Sequence, residues 1–216
     1  MQFRSIRALF PVLALTLLGV GHVPAARAEP QELKDYVLLE NPQPVGNGKK
    51  IVVEEFFWYG CPHCYHVEPN VRAWRRTLPR DVEFRREAPA LNDAWQTLAK
   101  AHYALETMKL SDRIGPKLFA AIHDSRELHV NDQSALVGWL ARHGVDRDKF
   151  SEVYGSFGVD NAVSRANQKA MAYRIDGVPT FVVDGKYLTS VSMTGDGENL
   201  IATLNYLIAR ERRDKR

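Results

Sequence analysis

Apolar and polar positions follow two rhythms along this chain, and the rhythms are segregated. Lys50 to Phe57 (KIVVEEFF) is the clearest strand, β-branched and aromatic and bounded by turn residues. Its near-continuous apolarity predicts a strand buried on both faces, interrupted only by Glu54 and Glu55. Tyr36 to Leu39 reads as a shorter strand before it. Asp81 to Arg86, where Val82 and Phe84 alternate with charges, reads as another after it. Between these two a helix is expected from the Cys61 region to about Leu78, with Pro62 suited to its first turn and Pro69 expected to kink it.

From about Asn92 to Tyr173 the rhythm becomes helical. Trp95, Leu98, Ala99, His102 and Leu105 share one face, and further helices are predicted over 116–123, 133–143, 146–157 and 160–173. Strand character then returns at Thr180 to Val183 and Lys186 to Leu188, around the two-residue hairpin turn Asp184-Gly185. A last amphipathic helix, Glu198 to Arg210, gathers Leu200, Ile201, Leu204, Leu207 and Ile208. The order predicts an α/β fold: a small sheet interrupted by a helical insertion.

The N-terminus changes the reading of charge. Arg4 and Arg7, the apolar run Ala8 to Val20, and Ala26-Arg27-Ala28 have the layout of a secretory signal peptide cleaved after Ala28. The run is too short to span about 30 Å of hydrocarbon as a helix, and no later stretch reaches the roughly 18 apolar residues a span requires. A soluble exported protein is therefore expected. Residues 1–28 hold three of the 29 basic residues and none of the 26 acidic ones, which leaves 26 of each in the remainder. The net charge of +3 thus belongs to the leader, and the electrostatic case for a nucleic-acid partner goes with it.

The chain has 2 Cys, and they stand as Cys61-Pro62-His63-Cys64 at the expected helix start. A zinc site would need four ligands, yet no second Cys pair exists, and His123 and His129 lie six apart. Haem attachment would need His after the second Cys, where Tyr65 stands. A structural disulfide closing so small a loop would restrict the unfolded chain little. Thiol–disulfide redox chemistry remains. At a helix N-terminus, unpaired N–H groups and the positive end of the macrodipole favour the Cys61 thiolate, the species that attacks disulfides. His63 adds a donor, and Cys64, one turn on, is placed to resolve a mixed disulfide. His66 reads as a surface or packing residue, and Trp58 and Tyr59 as either a substrate platform or ordinary core.

The run Glu55-Phe56-Phe57-Trp58-Tyr59-Gly60-Cys61-Pro62-His63-Cys64-Tyr65, with Gly177-Val178-Pro179-Thr180 downstream, resembles the DsbA family over nearly the whole of residues 29–216. C-P-H-C is that family's usual tetrapeptide, where thioredoxins resemble C-G-P-C and the dimeric isomerases C-G-Y-C. The resemblance implies a thioredoxin fold with an inserted all-helical domain: residues 29–90 and 174–216 as the thioredoxin-like domain, and 91–173 as the insertion. It implies a periplasmic oxidase that introduces disulfides into exported proteins, with Cys61 as exposed nucleophile and Cys64 as buried partner. Pro62 and His63 would tune the couple. Glu55 would be a buried acid beneath it, able to exchange protons with Cys64, and Arg86 a basic neighbour of that acid. Pro179 matches the family's cis-proline, and Val178 would pair with an extended substrate peptide.

The implied partners are reduced exported proteins and, for reoxidation, a quinone-linked membrane oxidase of the DsbB type. No cofactor or metal is expected, because both electrons stay on the sulfurs. A monomer is expected, since no heptad or dimerisation extension precedes the fold. Two other readings stay open: a reductase or isomerase on the same fold, and a non-catalytic peptide-binding chaperone. Val178 rather than Thr before Pro179, together with C-P-H-C, argues against the former. Gly60 and the segment TSVSMTGDG (189–197) set the chain apart from the best-known enterobacterial form.

Overall fold

The computed structural model describes residues 29–46 and 48–215; the expected signal segment, 1–28, lies outside the described residues. Strands β1 (Val37–Leu38) and β2 (Ile51–Phe56) precede helix α1 (Pro62–Arg75) and strand β3 (Val82–Glu87). A 3-10 turn (Asp93–Trp95) opens a run of five helices: α2 (Gln96–Thr107), α3 (Ser111–His123), α4 (Gln133–Arg142), α5 (Arg147–Tyr154) and α6 (Phe157–Ala172). Strands β4 (Thr180–Val183) and β5 (Tyr187–Ser190), the short α7 (Val191–Thr194) and the long α8 (Gly197–Asp214) complete the order.

The strands form one sheet in the order β1-β5-β4-β2-β3, parallel only between β2 and β3. Asp184 and Gly185 both take positive φ, and Lys186 N–H donates to the Val183 carbonyl, the two-residue turn that matches strand twist. Among the described residues no helix is long and apolar enough to cross a membrane.

Every residue of β2 is buried because both faces of the sheet are covered. Ile51 and Val53 join Val67, Val71 and Trp74 of α1 and Leu200, Leu204 and Leu207 of α8. Each of those leucines, fully buried, contributes roughly 1.5–3 kcal/mol. On the other face Phe56 and Val182 pack with Ala170 of α6 and with Tyr173. Successive strand residues point to opposite faces. Glu54 and Glu55 are therefore buried in different surroundings, at 0% and 1% exposure.

A third core lies within the helical run, where Leu98, Leu105, Ile114, Phe119 and Trp139 pack with Phe57, Tyr59 and both cysteines. The cysteine pair thus sits at the seam between sheet and helices.

The helices depart from the sequence reading at their ends. α3 begins at Ser111, five residues ahead of the expected start at Pro116, because Ile114 and Gly115 are drawn into the buried interface, Gly115 beside the Tyr59 ring. The expected 146–157 helix stops at Tyr154, since the Ser156 hydroxyl accepts from Val159 N–H and caps a new helix at Phe157. α1 runs unbroken through Pro69.

Candidate active site

β2 ends at Phe56, and the chain leaves the sheet through a hydrogen-bonded turn, Trp58 to Cys61, with Cys61 N–H donating to the Trp58 carbonyl at 3.0 Å. Cys61 is then the N-cap of α1, with extended backbone (φ −85°, ψ 118°). Its sulfur occupies the place of a capping oxygen and accepts from Cys64 N–H at 3.4 Å. On its other side the thiol donates to the Val178 carbonyl at 3.3 Å. Both thiols are free, so this is the geometry of the reduced couple.

The two sulfurs are unlike. Both are buried, Cys61 at 7% exposure and Cys64 at 1%, so Cys61 is not the exposed residue the resemblance implied: its place at the N-cap tucks the sulfur between the first turn of α1 and the Val178 carbonyl. The Cys64 side chain is the largest cause that lowers the Cys61 thiol to about 6. Backbone N–H groups of Cys64 and His63 and the charge of the His63 ring assist, against partial burial. Cys64 moves the opposite way, pushed well above the ordinary thiol range by burial first and by its hydrogen bond to Cys61 second. Such a pair can lose Cys61 as a stable leaving thiolate and keep Cys64 protonated.

Beneath the pair, Glu55 accepts from Arg86 Nε at 2.7 Å, and the same guanidinium also pairs with Glu68 of α1. Burial raises the Glu55 carboxyl, against the lowering effect of Arg86. On the opposite face Glu54 is held by Lys169 Nζ at 2.6 Å and by the Tyr173 hydroxyl at 2.8 Å, and Lys169 also pairs with Glu87. Glu54 thus fastens α6 to the sheet, away from the sulfurs.

Val178–Pro179 is a cis peptide beside Cys61. An apolar-walled groove of about 530 Å³ opens along this segment, with His63, Ile175, Leu188, Val191 and Met193 among its lining. His63 and His66 are both exposed. Tyr59 is core, whereas the partly exposed Trp58 ring stacks on Trp95 at 4.7 Å and 3°. Gly60 allows that stack, because a Cβ there would stand 2.4 Å from the Trp58 ring.

The structure therefore brings Cys61, Pro62, His63 and Cys64 together with Val178 and Pro179: His63, Val178 and Pro179 line the groove, both cysteines are buried next to it, and Glu55 and Arg86 lie behind them. Sequence reasoning passed over Glu68, although its place four residues after Cys64 put it on the same face of α1. It also passed over Met193, Leu188 and Ile175, which come together only through the hairpin and α7.

Comparison with known proteins bears on the family and the fold. The model of the DSBA-like thioredoxin domain matches residues 80–209. The thiol:disulfide interchange protein DsbA of Azotobacter vinelandii is 39% identical over 205 residues, covering 93% of this chain and 95% of its own. The Pseudomonas aeruginosa protein of the same name is 39% identical over 180 residues, covering 83% and 84%. The crystal structure of Pseudomonas aeruginosa DsbA is similar with a TM-score of 0.82 at 37% identity, covering 86% of this chain and 96% of that one. The oxidoreductase NmDsbA1 from Neisseria meningitidis gives 0.77 at 26% identity, covering 88% and 99%.

Proposed function

The chain belongs to the DsbA family of thioredoxin-fold disulfide oxidoreductases, and from that premise we propose that it is an oxidase that donates a Cys61–Cys64 disulfide to exported proteins in the periplasm. A substrate thiolate attacks Cys61 Sγ, the Cys61–Cys64 bond breaks, and Cys64 leaves with the electron pair and takes up a proton. A second substrate thiolate then attacks the substrate sulfur of the mixed disulfide. The substrate disulfide forms, and Cys61 leaves as a thiolate. Two electrons have passed to the enzyme, and the substrate has been oxidised by two.

The observation that carries this reading is the asymmetry of the couple: Cys61 at the helix cap with its thiol lowered to about 6, Cys64 buried and raised. Stabilising the Cys61 thiolate stabilises the reduced form and makes the disulfide the stronger oxidant. Pro62 and His63 tune the couple from the first turn of α1. Glu55, held by Arg86, exchanges the Cys64 proton. Val178 and Pro179 receive the substrate backbone, and the apolar groove receives its side chains with little sequence preference.

The wider reading has four parts. Residues 29–90 and 174–216 are the redox domain and 91–173 its insertion. The leader is cleaved after Ala28. The protein acts as a monomer. A quinone-linked membrane oxidase of the DsbB type regenerates the disulfide.

The deciding experiment is the Cys61–Cys64 reduction potential in glutathione buffers. A value above about −180 mV supports the oxidase, and one near about −270 mV replaces it with a reductase. Cys61→Ser separates both from a peptide-binding chaperone, which would keep suppressing aggregation after losing the thiol.

A further inference from the structure

The turn that delivers Cys61 has a built-in ambiguity. Type I and type II turns differ mainly by a flip of the central peptide, and type II demands positive φ at the third residue, where glycine is at ease. In the turn Trp58-Tyr59-Gly60-Cys61 that third residue is Gly60, and the packing of the Trp58 ring against it leaves no room for a Cβ. The residue that makes room for the tryptophan is therefore also the one that would let the Tyr59–Gly60 peptide turn over. Gly60 does not take positive φ here, so the type II form is not adopted.

One side chain grips the peptide in question. His123, the last residue of α3, places Nε2 2.8 Å from the Tyr59 carbonyl. A carbonyl only accepts, so the ring must donate from Nε2. The His123 ring also stacks on Tyr65 at 5.0 Å and 13°, and the Tyr65 hydroxyl donates to Asp124 at 2.5 Å. Tyr65 N–H in turn donates to the Cys61 carbonyl at 3.1 Å. At its other end α3 meets the Tyr59 ring, whose hydroxyl would lie 3.1 Å from a Cβ on Gly115. The C-terminal end of α3 thus clasps the cysteine segment on both flanks, before Cys61 and after Cys64.

We propose that His123 is a positioning residue for the redox couple: its Nε2–H, donated to the Tyr59 carbonyl, holds the Tyr59–Gly60 peptide in the one orientation that sets Cys61 Sγ on the α1 N-cap. The helical insertion thereby acts on the chemistry as well as walling it. A flipped peptide would carry the Tyr59 carbonyl away from the ring and shift the backbone that aims Sγ at Cys64 N–H. The thiolate would then lose part of its hydrogen bonding.

This rests on Cys61 being the nucleophile. Selective alkylation of Cys61 over Cys64 by iodoacetamide in the wild type tests that reading, and the difference between His123 variants tests the present one. The variants are His123→Leu, which keeps bulk against Tyr65 without a donor, and His123→Gln, which keeps a side-chain N–H. Cys61 is titrated by thiolate absorbance and the potential is read in glutathione buffers. Loss of one ordinary hydrogen bond acting on the thiolate predicts that His123→Leu raises the Cys61 midpoint by about half a unit or more and moves the potential towards reducing values. His123→Gln returns both towards wild type.

If His123→Leu melts earlier but has the wild-type midpoint and potential, His123 only stabilises the fold and the proposal is overturned. Should His123→Leu not fold, imidazole ¹⁵N NMR of the wild type decides: Nε2 must carry the proton, and a neutral ring protonated only at Nδ1 refutes the clamp.

Discussion

Glu55 and Arg86 are direct partners across the parallel pair β2–β3, and the guanidinium Nε lies 2.7 Å from the carboxylate oxygen in a space from which water is almost wholly excluded. The Phe57 ring lies against the same guanidinium, whose carbon is 5.0 Å from the ring centroid. An ion pair so enclosed must be judged by what remains when one partner goes.

Arg86→Met leaves Glu55 and Glu68 buried side by side without their shared cation. Breaking a buried pair in this way costs about 3–5 kcal/mol, so the variant should unfold at clearly lower urea concentration. Adding Glu55→Gln should restore part of the loss. If the single and double variants have the same midpoint, Glu55 is not the group left stranded.

Glu55 also gives stability a pH dependence of definite sign. Its folded carboxyl is raised by burial, so it contributes stability below the unfolded value of about 4.3 and loses that contribution as pH rises through the folded value. Glu55→Gln mimics the neutral form at every pH. Its stability relative to wild type should therefore grow between pH 4 and pH 8 in urea titrations. A difference that stays flat over that range removes the raised carboxyl from the account.

Cys61 has the opposite sign. A thiol lowered to about 6 stabilises the reduced fold fully above the unfolded thiol value, about 8.5, and loses that stabilisation as pH falls through about 6. The reduced protein should melt above the disulfide form at pH 8, and the gap should narrow towards pH 5. Iodoacetamide should alkylate Cys61 with a midpoint near that same pH and spare Cys64. Equal reactivity of the two thiols would contradict the asymmetry on which the oxidase reading stands.

What could be read from residues alone follows how local the determinants are. Ile51–Phe56 announces itself by composition, Asp184-Gly185 by the φ its turn needs, and the Cys pair by its spacing at a helix start. The fate of Glu54 and Glu55 could not be read in the same way. Their burial depends on Lys169, Glu68 and Arg86, which only the folded sheet and its two covered faces bring near. His123 is further still from local view, since nothing around it indicates that α3 ends on the carbonyl of Tyr59, 64 residues earlier. Arg86 came into view only through the family resemblance; the in-register pairing that sets it opposite Glu55 belongs to the folded sheet.

Gly60→Ala tests the tryptophan stack through the emission of its rings. The new Cβ would fall 2.4 Å from the Trp58 ring, which must leave its stack on Trp95. Forcing a methyl into such a site costs about 1–3 kcal/mol, visible as a lower thermal midpoint with a changed tryptophan emission spectrum. An unchanged spectrum would mean that the ring does not occupy this position in solution.

The groove beside Val178–Pro179 should govern substrate capture without touching the couple. Met193 lines it, half-buried, on the short helix α7, and neither cysteine is among the residues that line it. Met193→Asp places a charge where an apolar side chain of an unfolded client would rest. Removing that apolar burial weakens client binding by about 1–2 kcal/mol, so kcat/KM for oxidising a reduced, unfolded protein should fall about tenfold. The reduction potential and the rate with a small thiol such as dithiothreitol should stay at wild-type values, because neither requires a peptide to lie in the groove. A parallel fall in both rates would show that Met193 acts on the sulfurs and not on the client. No fall in either would move the client's docking surface elsewhere.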